Sequence, residues 1–247
     1  MLRMTVIALI ILPLASQARS DVLIEQYGDS TTEGWQVVDG RGSVTAMNAP
    51  AILEGMMQDR FGPDVRVNNH GVGATQSSQL WDGTDGRHVA WHQRMAESPA
   101  DIVTLNFGLN DAYYAAVADG MHEAHGPSEF AETIAKMVES AKAHGKKVIL
   151  LEPHQVCEPT RAAALDAYVL ELRKIAHRKE VPIVSHYDVP MEAGGLPDCL
   201  HPSDDLYRQK AEREFSVIAP LVQRSMIDRQ ADRLSATAAK DTPALSE

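Results

Sequence analysis

Two short segments at opposite ends of the chain carry between them the residue types of a hydrolytic triad. Gly28-Asp29-Ser30 lies near the N-terminus and Asp198-Cys199-Leu200-His201 near the C-terminus. A serine hydroxyl is a poor nucleophile at neutral pH and needs a histidine to accept its proton. The histidine needs a carboxylate to fix its tautomer and to stabilise the imidazolium. An Asp three residues before a His can supply that carboxylate from the same loop. Two further segments fall between these in sequence, Gly71-Val72-Gly73 and Gly108-Leu109-Asn110-Asp111. Taken singly, each reads as a turn, because Gly, Asp, Asn and Ser all favour turns. Their joint occurrence in this order points to catalysis.

The elements that must position these residues alternate between strand and helix. Val22-Leu23-Ile24 leads into Gly28 as a first strand ending in a sharp turn. Asn48 can cap a helix with Pro50 in its first turn, and Ile52, Leu53, Met56 and Met57 recur at helical spacing. Val65 to Asn69 reads as a second strand, Arg87 to Glu97 as a helix, and Ile102 to Phe107 as a third strand. Ser128 caps a helix carrying Phe130, Ile134, Met137, Val138 and Ala141, which Gly145 closes. Val148-Ile149-Leu150-Leu151 is wholly apolar, as a buried parallel strand requires. Thr160 to Arg178 is helical, Ile183-Val184 is a fifth strand, and Ser203 to Arg224 is the last helix. Such alternation implies a three-layer α/β/α sandwich around a parallel five-stranded sheet of flavodoxin-like type. In open parallel sheets the working site lies beyond the carboxyl ends of the strands. Ser30, Gly73, Asn110 and His201 all follow strands in that sense.

At these four places the chain resembles the SGNH hydrolase family, also called GDSL esterases. The blocks that carry the resemblance are Gly28-Asp29-Ser30-Thr31-Thr32-Glu33-Gly34, Asn69-His70-Gly71-Val72-Gly73, Gly108-Leu109-Asn110-Asp111 and Asp198-Cys199-Leu200-His201-Pro202-Ser203-Asp204. The resemblance runs from about Val22 to about Val222. It implies catalysis by Ser30, Asp198 and His201. It also implies an oxyanion hole built from the backbone N–H of Ser30, the backbone N–H of Gly73 and the side chain of Asn110. Gly73 is preferred to Gly71, which could simply supply the turn. Two positions depart from the family pattern: Thr31, where an aliphatic residue is more usual, and Cys199 inside the Asp-x-x-His loop. Thr31 reads as a change of packing behind the nucleophile.

Other patterns are weaker. Gly71-Val72-Gly73 after a strand is the start of a dinucleotide fingerprint, but its third glycine is missing, since position 76 is Gln. The Gly-x-Ser-x-Gly elbow of other hydrolases is absent around Ser30. His88 and His92 stand at i, i+4 without the Glu of a zinc protease motif, so a solvated helix face is expected there and no metal site. His122 and His125 are expected to face water. His154 follows the fourth strand in Glu152-Pro153-His154 and reads equally as a substrate contact or as a surface residue. Tyr113 and Tyr114 follow Asn110; they could stack on a sugar or an acyl group, or pack under their loop. Trp35, Trp81 and Trp91 are similarly open, with Trp35 close in sequence to the nucleophile. The stretch from Ala112 to Pro127 reads as a long connection at the site's edge.

The 247 residues, 44% of them hydrophobic, suffice for one sizeable core. The first twenty residues look like an export signal: Arg3, an apolar run from Val6 to Ala15, and small residues at Ser16-Gln17-Ala18. An uncleaved anchor is the alternative, although the run is shorter than the roughly 20 residues of a membrane span. The expected organisation is thus a signal peptide at 1–20, a hydrolase domain at 21–225 and a disordered tail at 226–247. The formal net charge is -11, and loss of residues 1–18, which carry only Arg3, makes it -12. That acidity argues against nucleic acid, whose phosphates need a basic footprint, and against anionic lipid surfaces. The two cysteines, Cys157 and Cys199, are a natural disulfide count in an oxidising compartment, with two unpaired thiols as the alternative. The expectation is an exported, periplasmic or secreted serine esterase without cofactor or metal, acting on small carboxylic esters such as O-acetyl groups on carbohydrate. A thioesterase or lysophospholipase for longer acyl chains is the runner-up. A non-catalytic carbohydrate-binding protein on a hydrolase scaffold is the reading from another class.

Overall fold

The computed structural model describes residues 21–190 and 194–240. The expected signal segment therefore lies outside the described residues. In chain order the elements are β1 (Val22–Gly28), α1 (Ser30–Glu33), β2 (Trp35–Val38), β3 (Arg41–Val44), α2 (Ala49–Phe61), β4 (Val65–Gly71), α3 (Ser77–Asp82), α4 (Trp91–Glu97), β5 (Ile102–Asn106), α5 (Leu109–Val117), α6 (Pro127–Ala143), β6 (Lys147–Leu151), α7 (Pro159–Lys179), β7 (Ile183–Val184) and α8 (Asp204–Lys240). Five strands form one parallel sheet in the order β4-β1-β5-β6-β7, and β2 and β3 form a separate antiparallel hairpin.

The apolar strands supply both layers because successive side chains point to opposite faces. Val22, Ile24, Ile102, Ile149 and Leu151 pack with α2 and α8 through Leu53, Met57, Ile218 and Val222. Leu23, Val103, Leu105, Val148 and Leu150 pack with the opposite layer through Trp91, Phe130, Ile134, Leu165 and Leu172. The sheet is thus covered on both faces, the three-layer α/β/α arrangement that the alternating pattern implies. No helix among the described residues is long and apolar enough to cross a membrane.

Several boundaries differ from the sequence expectation, each for a local reason. The helix expected from Arg87 begins at Trp91, because Asp85 accepts the N–H groups of Arg87 (2.9 Å) and His88 (2.8 Å) and holds them in a turn. His88 is consequently not on a solvated helix face. Its side chain is 5% exposed, bonded to Asp85 Oδ2 at 2.7 Å and 3.3 Å from His70 Nδ1. His92 remains exposed. The first part of the long connection expected from Ala112 belongs to α5, which runs to Val117, so the irregular stretch between α5 and α6 shrinks to 118–126. His122 within it is half-buried, its ring stacked on Tyr114 at 3.6 Å. The last helix passes the expected end at Arg224 and continues to Lys240, so the tail expected to be disordered from 226 is helical over its described part. Ser225 is buried there and accepts from Lys147 Nζ, Met226 packs against the core, and Arg229 bonds to Asp101 and to the carbonyl of Asp21.

Candidate active site

The register of the sheet brings three of the four sequence blocks to one level. Gly28 pairs with Gly71 of β4 on one side and with Asn106 of β5 on the other. The chain segments carrying Ser30, Gly73 and Asn110 therefore leave the sheet side by side at its carboxyl edge. Gly28 must be glycine, because a Cβ would stand 2.2 Å from Thr32 Oγ1 and 2.6 Å from the carbonyl of Asn106. The chain turns directly into α1, which Asp29 caps by accepting from Thr31 N at 2.8 Å. Thr31 does more than fill space here: its hydroxyl also donates to Asp29 Oδ1 at 2.8 Å.

The fourth block is held from a distance. Cys157, beyond β6, is disulfide-bonded to Cys199, with their Cα atoms 4.6 Å apart. The N–H groups of Cys157 (3.0 Å) and Glu158 (3.1 Å) both donate to the carbonyl of Cys199. His154 is buried and donates from Nε2 to the carbonyl of Leu200 at 2.9 Å. It does not line the cavity, so it supports the loop and is not placed to contact substrate. Burial, with the nearby Lys210 charge, holds its imidazole well below the ordinary value and therefore neutral.

These elements bring Ser30, His201 and Asp198 into one chain of hydrogen bonds. Ser30 Oγ stands 3.0 Å from His201 Nε2, and His201 Nδ1 stands 2.7 Å from Asp198 Oδ2. Asp198 Oδ1 accepts the N–H groups of His201 (2.7 Å) and Leu200 (3.1 Å). Burial opposes ionisation of Asp198, but the bonds from His201 and Leu200 outweigh it and lower its pKa. An ionised carboxylate can only accept, so His201 carries its proton on Nδ1 and offers the Nε2 lone pair to Ser30. The Asp-x-x-His turn itself is not distinctive. Asp85 with His88 and Asp119 with His122 have the same pattern of two backbone bonds and a 2.7 Å bond to Nδ1. Only at His201 does a serine hydroxyl stand at the other nitrogen among the described residues.

Ser30 occupies the first position of α1, where a backbone N–H has no acceptor within the helix. Gly71 and Gly73 have different surroundings. The Gly71 N–H is used by Asn69 Oδ1 at 2.9 Å, and a Cβ there would lie 2.1 Å from Glu33 N. Gly73 lines the cavity, with Ser30 Cβ 3.8 Å from where its Cβ would be. Asn110 is 5% exposed and also reaches the cavity wall. Asp111 beside it accepts from Gly108 N at 3.0 Å, which starts α5, and from Ser77 N and Oγ at 3.0 and 2.6 Å. Burial pushes its carboxyl up to about 6.

The cavity above Ser30 has a volume of about 320 Å³. Trp35, Tyr114, Leu200 and Ala74 form apolar walls, with Glu33 and Arg161 as charged ones. Trp35 meets the His201 ring edge-on at 6.4 Å between centroids. Tyr113 does not line the cavity; its ring lies under the Arg161 guanidinium at 4.0 Å. Trp91 is fully buried, donating to the carbonyl of Met137 at 2.9 Å, and Trp81 packs against the core. Arg161 and Glu33 were not singled out by sequence reasoning. Arg161 opens a polar helix turn and meets the cavity only through the fold. Among the described residues no group of three or more His, Cys, Asp and Glu side chains could hold a metal ion.

A family model described as the GDSL-like lipase/acylhydrolase family matches residues 27–209. Among curated proteins none matches the chain significantly. Among solved structures, acetylxylan esterase Axe2 from Geobacillus stearothermophilus is similar, with 21% identity and a TM-score of 0.61 over 81% of this chain and 96% of that one. LAE5, described as an alpha/beta hydrolase enzyme from the metagenome of Lake Arreo, Spain, is similar at 20% identity and a TM-score of 0.59, over 80% of this chain and 95% of its own. At these identities the likeness concerns the fold, and both share the layered α/β architecture described above.

Proposed function

The chain belongs to the GDSL-like lipase/acylhydrolase family, a family of carboxylic ester hydrolases, and on that premise we propose that it is an exported serine esterase for short-chain esters, O-acetyl groups on carbohydrate among them. The observation that carries the reading is the bonded series Ser30 Oγ, His201, Asp198 at the floor of an open cavity. In this reading Ser30 Oγ attacks the ester carbonyl as its proton passes to His201 Nε2. Asp198, kept ionised, stabilises the imidazolium that forms. The carbonyl oxygen gains negative charge and is met by the N–H of Ser30, the N–H of Gly73 and the Nδ2 of Asn110. Collapse of the tetrahedral intermediate expels the alcohol, which takes the proton from His201. Water then attacks the acyl-enzyme by the same route and frees Ser30.

Substrate size follows from the cavity. A volume of about 320 Å³ lies at the low end of ligand pockets, roughly 300–1,000 Å³. It suits a short acyl group with part of its alcohol and speaks against long acyl chains. The acetylxylan esterase named above is consistent with an acetyl group on a sugar. Export is supported by the signal-like start of the chain and by the Cys157–Cys199 disulfide. The test is hydrolysis of p-nitrophenyl esters of rising acyl length, alongside acetate release from acetylated xylo-oligosaccharide. Activity should be greatest at acetyl to butyryl; a maximum at eight carbons or more would reject the short-chain assignment.

A further inference from the structure

A side-chain amide makes a good oxyanion donor only if its nitrogen, and not its oxygen, faces the charge. The two ends of an Asn side chain have nearly the same shape, so steric fit alone does not choose between them. At Asn110 the choice is made by two neighbours of opposite character. The carbonyl of Thr75 can only accept, and takes one Nδ2 hydrogen at 3.0 Å. Arg161 can only donate, and gives an Nη2 hydrogen to Oδ1 at 3.1 Å. With Oδ1 facing Arg161 and one hydrogen spent on Thr75, the second Nδ2 hydrogen is the one left for a ligand.

Arg161 is itself fixed on several sides. It is 8% exposed, and its Nη1 donates to Glu158 Oε2 at 3.1 Å. Glu158 also caps α7 by accepting from Thr160 N and Arg161 N. The Tyr113 ring lies under the guanidinium at 4.0 Å, within cation–π range. This arrangement leaves Arg161 Nε buried without an acceptor. Burying an unpaired donor costs stability, and helix packing alone gives no reason to bear that cost.

We infer that Arg161 is the positioning residue of the oxyanion site, acting through Asn110 by holding its amide with nitrogen toward the reacting carbonyl. The inference rests on the esterase reading above and adds a residue to it. It also assigns Tyr113 as a platform for Arg161, and it links the two halves of the site. Glu158, which holds Arg161, adjoins Cys157, whose disulfide partner Cys199 lies in the Asp198–His201 loop.

The test is a double-mutant cycle on a short-chain ester, with kcat and KM measured separately. Arg161→Met should lower kcat by about tenfold or more while KM changes less than about twofold, as expected when a transition-state donor is misplaced. In an Asn110→Ala background the same substitution should change kcat by less than about twofold, because the group it acts through is gone. Arg161→Lys, which keeps a donor but not the planar fork, should retain more kcat than Arg161→Met and should pass through the cycle in the same way. It serves as the second variant should Arg161→Met fail to fold. An equal loss of kcat in both backgrounds, or a loss expressed only in KM, would overturn the inference. A Ser30→Ala variant run alongside separates the two levels. If it is inactive while the cycle is additive, only the role of Arg161 fails; if it is active, the esterase reading itself fails.

Discussion

Replacing Cys157 and Cys199 together by serine removes a cross-link between positions 42 residues apart. The loop-closure entropy restored to the unfolded chain by a loop of that length is worth about 4 kcal/mol at 25 °C. The native loop has other supports: the bonds from Cys157 N and Glu158 N to the Cys199 carbonyl, and from His154 to the Leu200 carbonyl. Those supports act on the folded state, whereas the cross-link acts chiefly on the unfolded one, so they do not substitute for it. Cys199 has φ 65°, and a serine there bears the same left-handed conformation, so the double variant isolates the cross-link. For a domain of this size each kcal/mol moves the midpoint by roughly 2–4 °C. The double variant should therefore melt about 8–16 °C below the oxidised protein in a thermal scan. Its kcat at 25 °C should fall less than about tenfold, or 1.4 kcal/mol, because the backbone bonds still hold the His201 loop. A midpoint lowered by less than about 3 °C would mean that the cross-link contributes little to stability. A kcat loss as deep as that of Ser30→Ala would refute the claim that the remaining bonds hold the loop.

Other outcomes follow from single contacts. Gly71→Ala should destabilise the fold, since its Cβ meets the Glu33 backbone at 2.1 Å, whereas Gly73→Ala meets a movable Glu33 carboxylate at 2.9 Å and should lower kcat with little change in melting; the reverse pattern would exchange the two glycines. Burial of Glu25 opposes ionisation, but the nearby His70 at 3.6 Å, bonds from Tyr27 and Ser98, and the Arg94 charge outweigh it and take its carboxyl down to about 2. Its contribution to stability is therefore full above about pH 4.5 and is lost as pH falls toward 2, on the order of 3 kcal/mol at most. Urea midpoints across that range should fall less steeply in Glu25→Gln than in the parent, and equal slopes would count against the assignment. Tyr114→Ala should raise KM by removing a cavity wall, while Tyr113→Ala should lower kcat by loosening Arg161; steady-state kinetics of the two variants would separate them, and a matching KM effect in both would contradict the assignment of Tyr113 as a platform.

The parts of the fold legible in sequence are those where the local pattern and the tertiary outcome agree. Val148 to Leu151 is apolar without interruption because both faces of β6 are covered. Asn48 caps α2 through Ala51 N as its residue type and the following Pro50 suggest. Ser30, His201 and Asp198 are legible because a motif names them; the register of β1 aligns the Ser30 block with those of Gly73 and Asn110, and the Cys157–Cys199 bond with its neighbouring backbone bonds holds the Asp198–His201 loop beside them. Other features depend on contacts far apart in sequence. Gly108-Leu109-Asn110-Asp111 reads as a loop, yet it opens α5 because Asp111 can cap Gly108 while buried against Ser77. The β2–β3 hairpin has an exposed second strand and no alternating pattern to reveal it. His88 reads as a surface residue until Asp85 and His70 are seen to enclose it. Arg161 carries no sequence signal at all; its partner Asn110 stands 51 residues away, and only the packing of α5 on α7 joins them.

The most direct test of the central claim is labelling by a fluorophosphonate probe, with the modified residue located by peptide mass spectrometry. A single adduct on Ser30 is expected in the native protein. That adduct should be lost in His201→Ala, which removes the base 3.0 Å from the hydroxyl, and absent in Ser30→Ala. Labelling at another residue, or ester hydrolysis by Ser30→Ala at even a tenth of the parent kcat, about 1.4 kcal/mol in barrier, would contradict that claim.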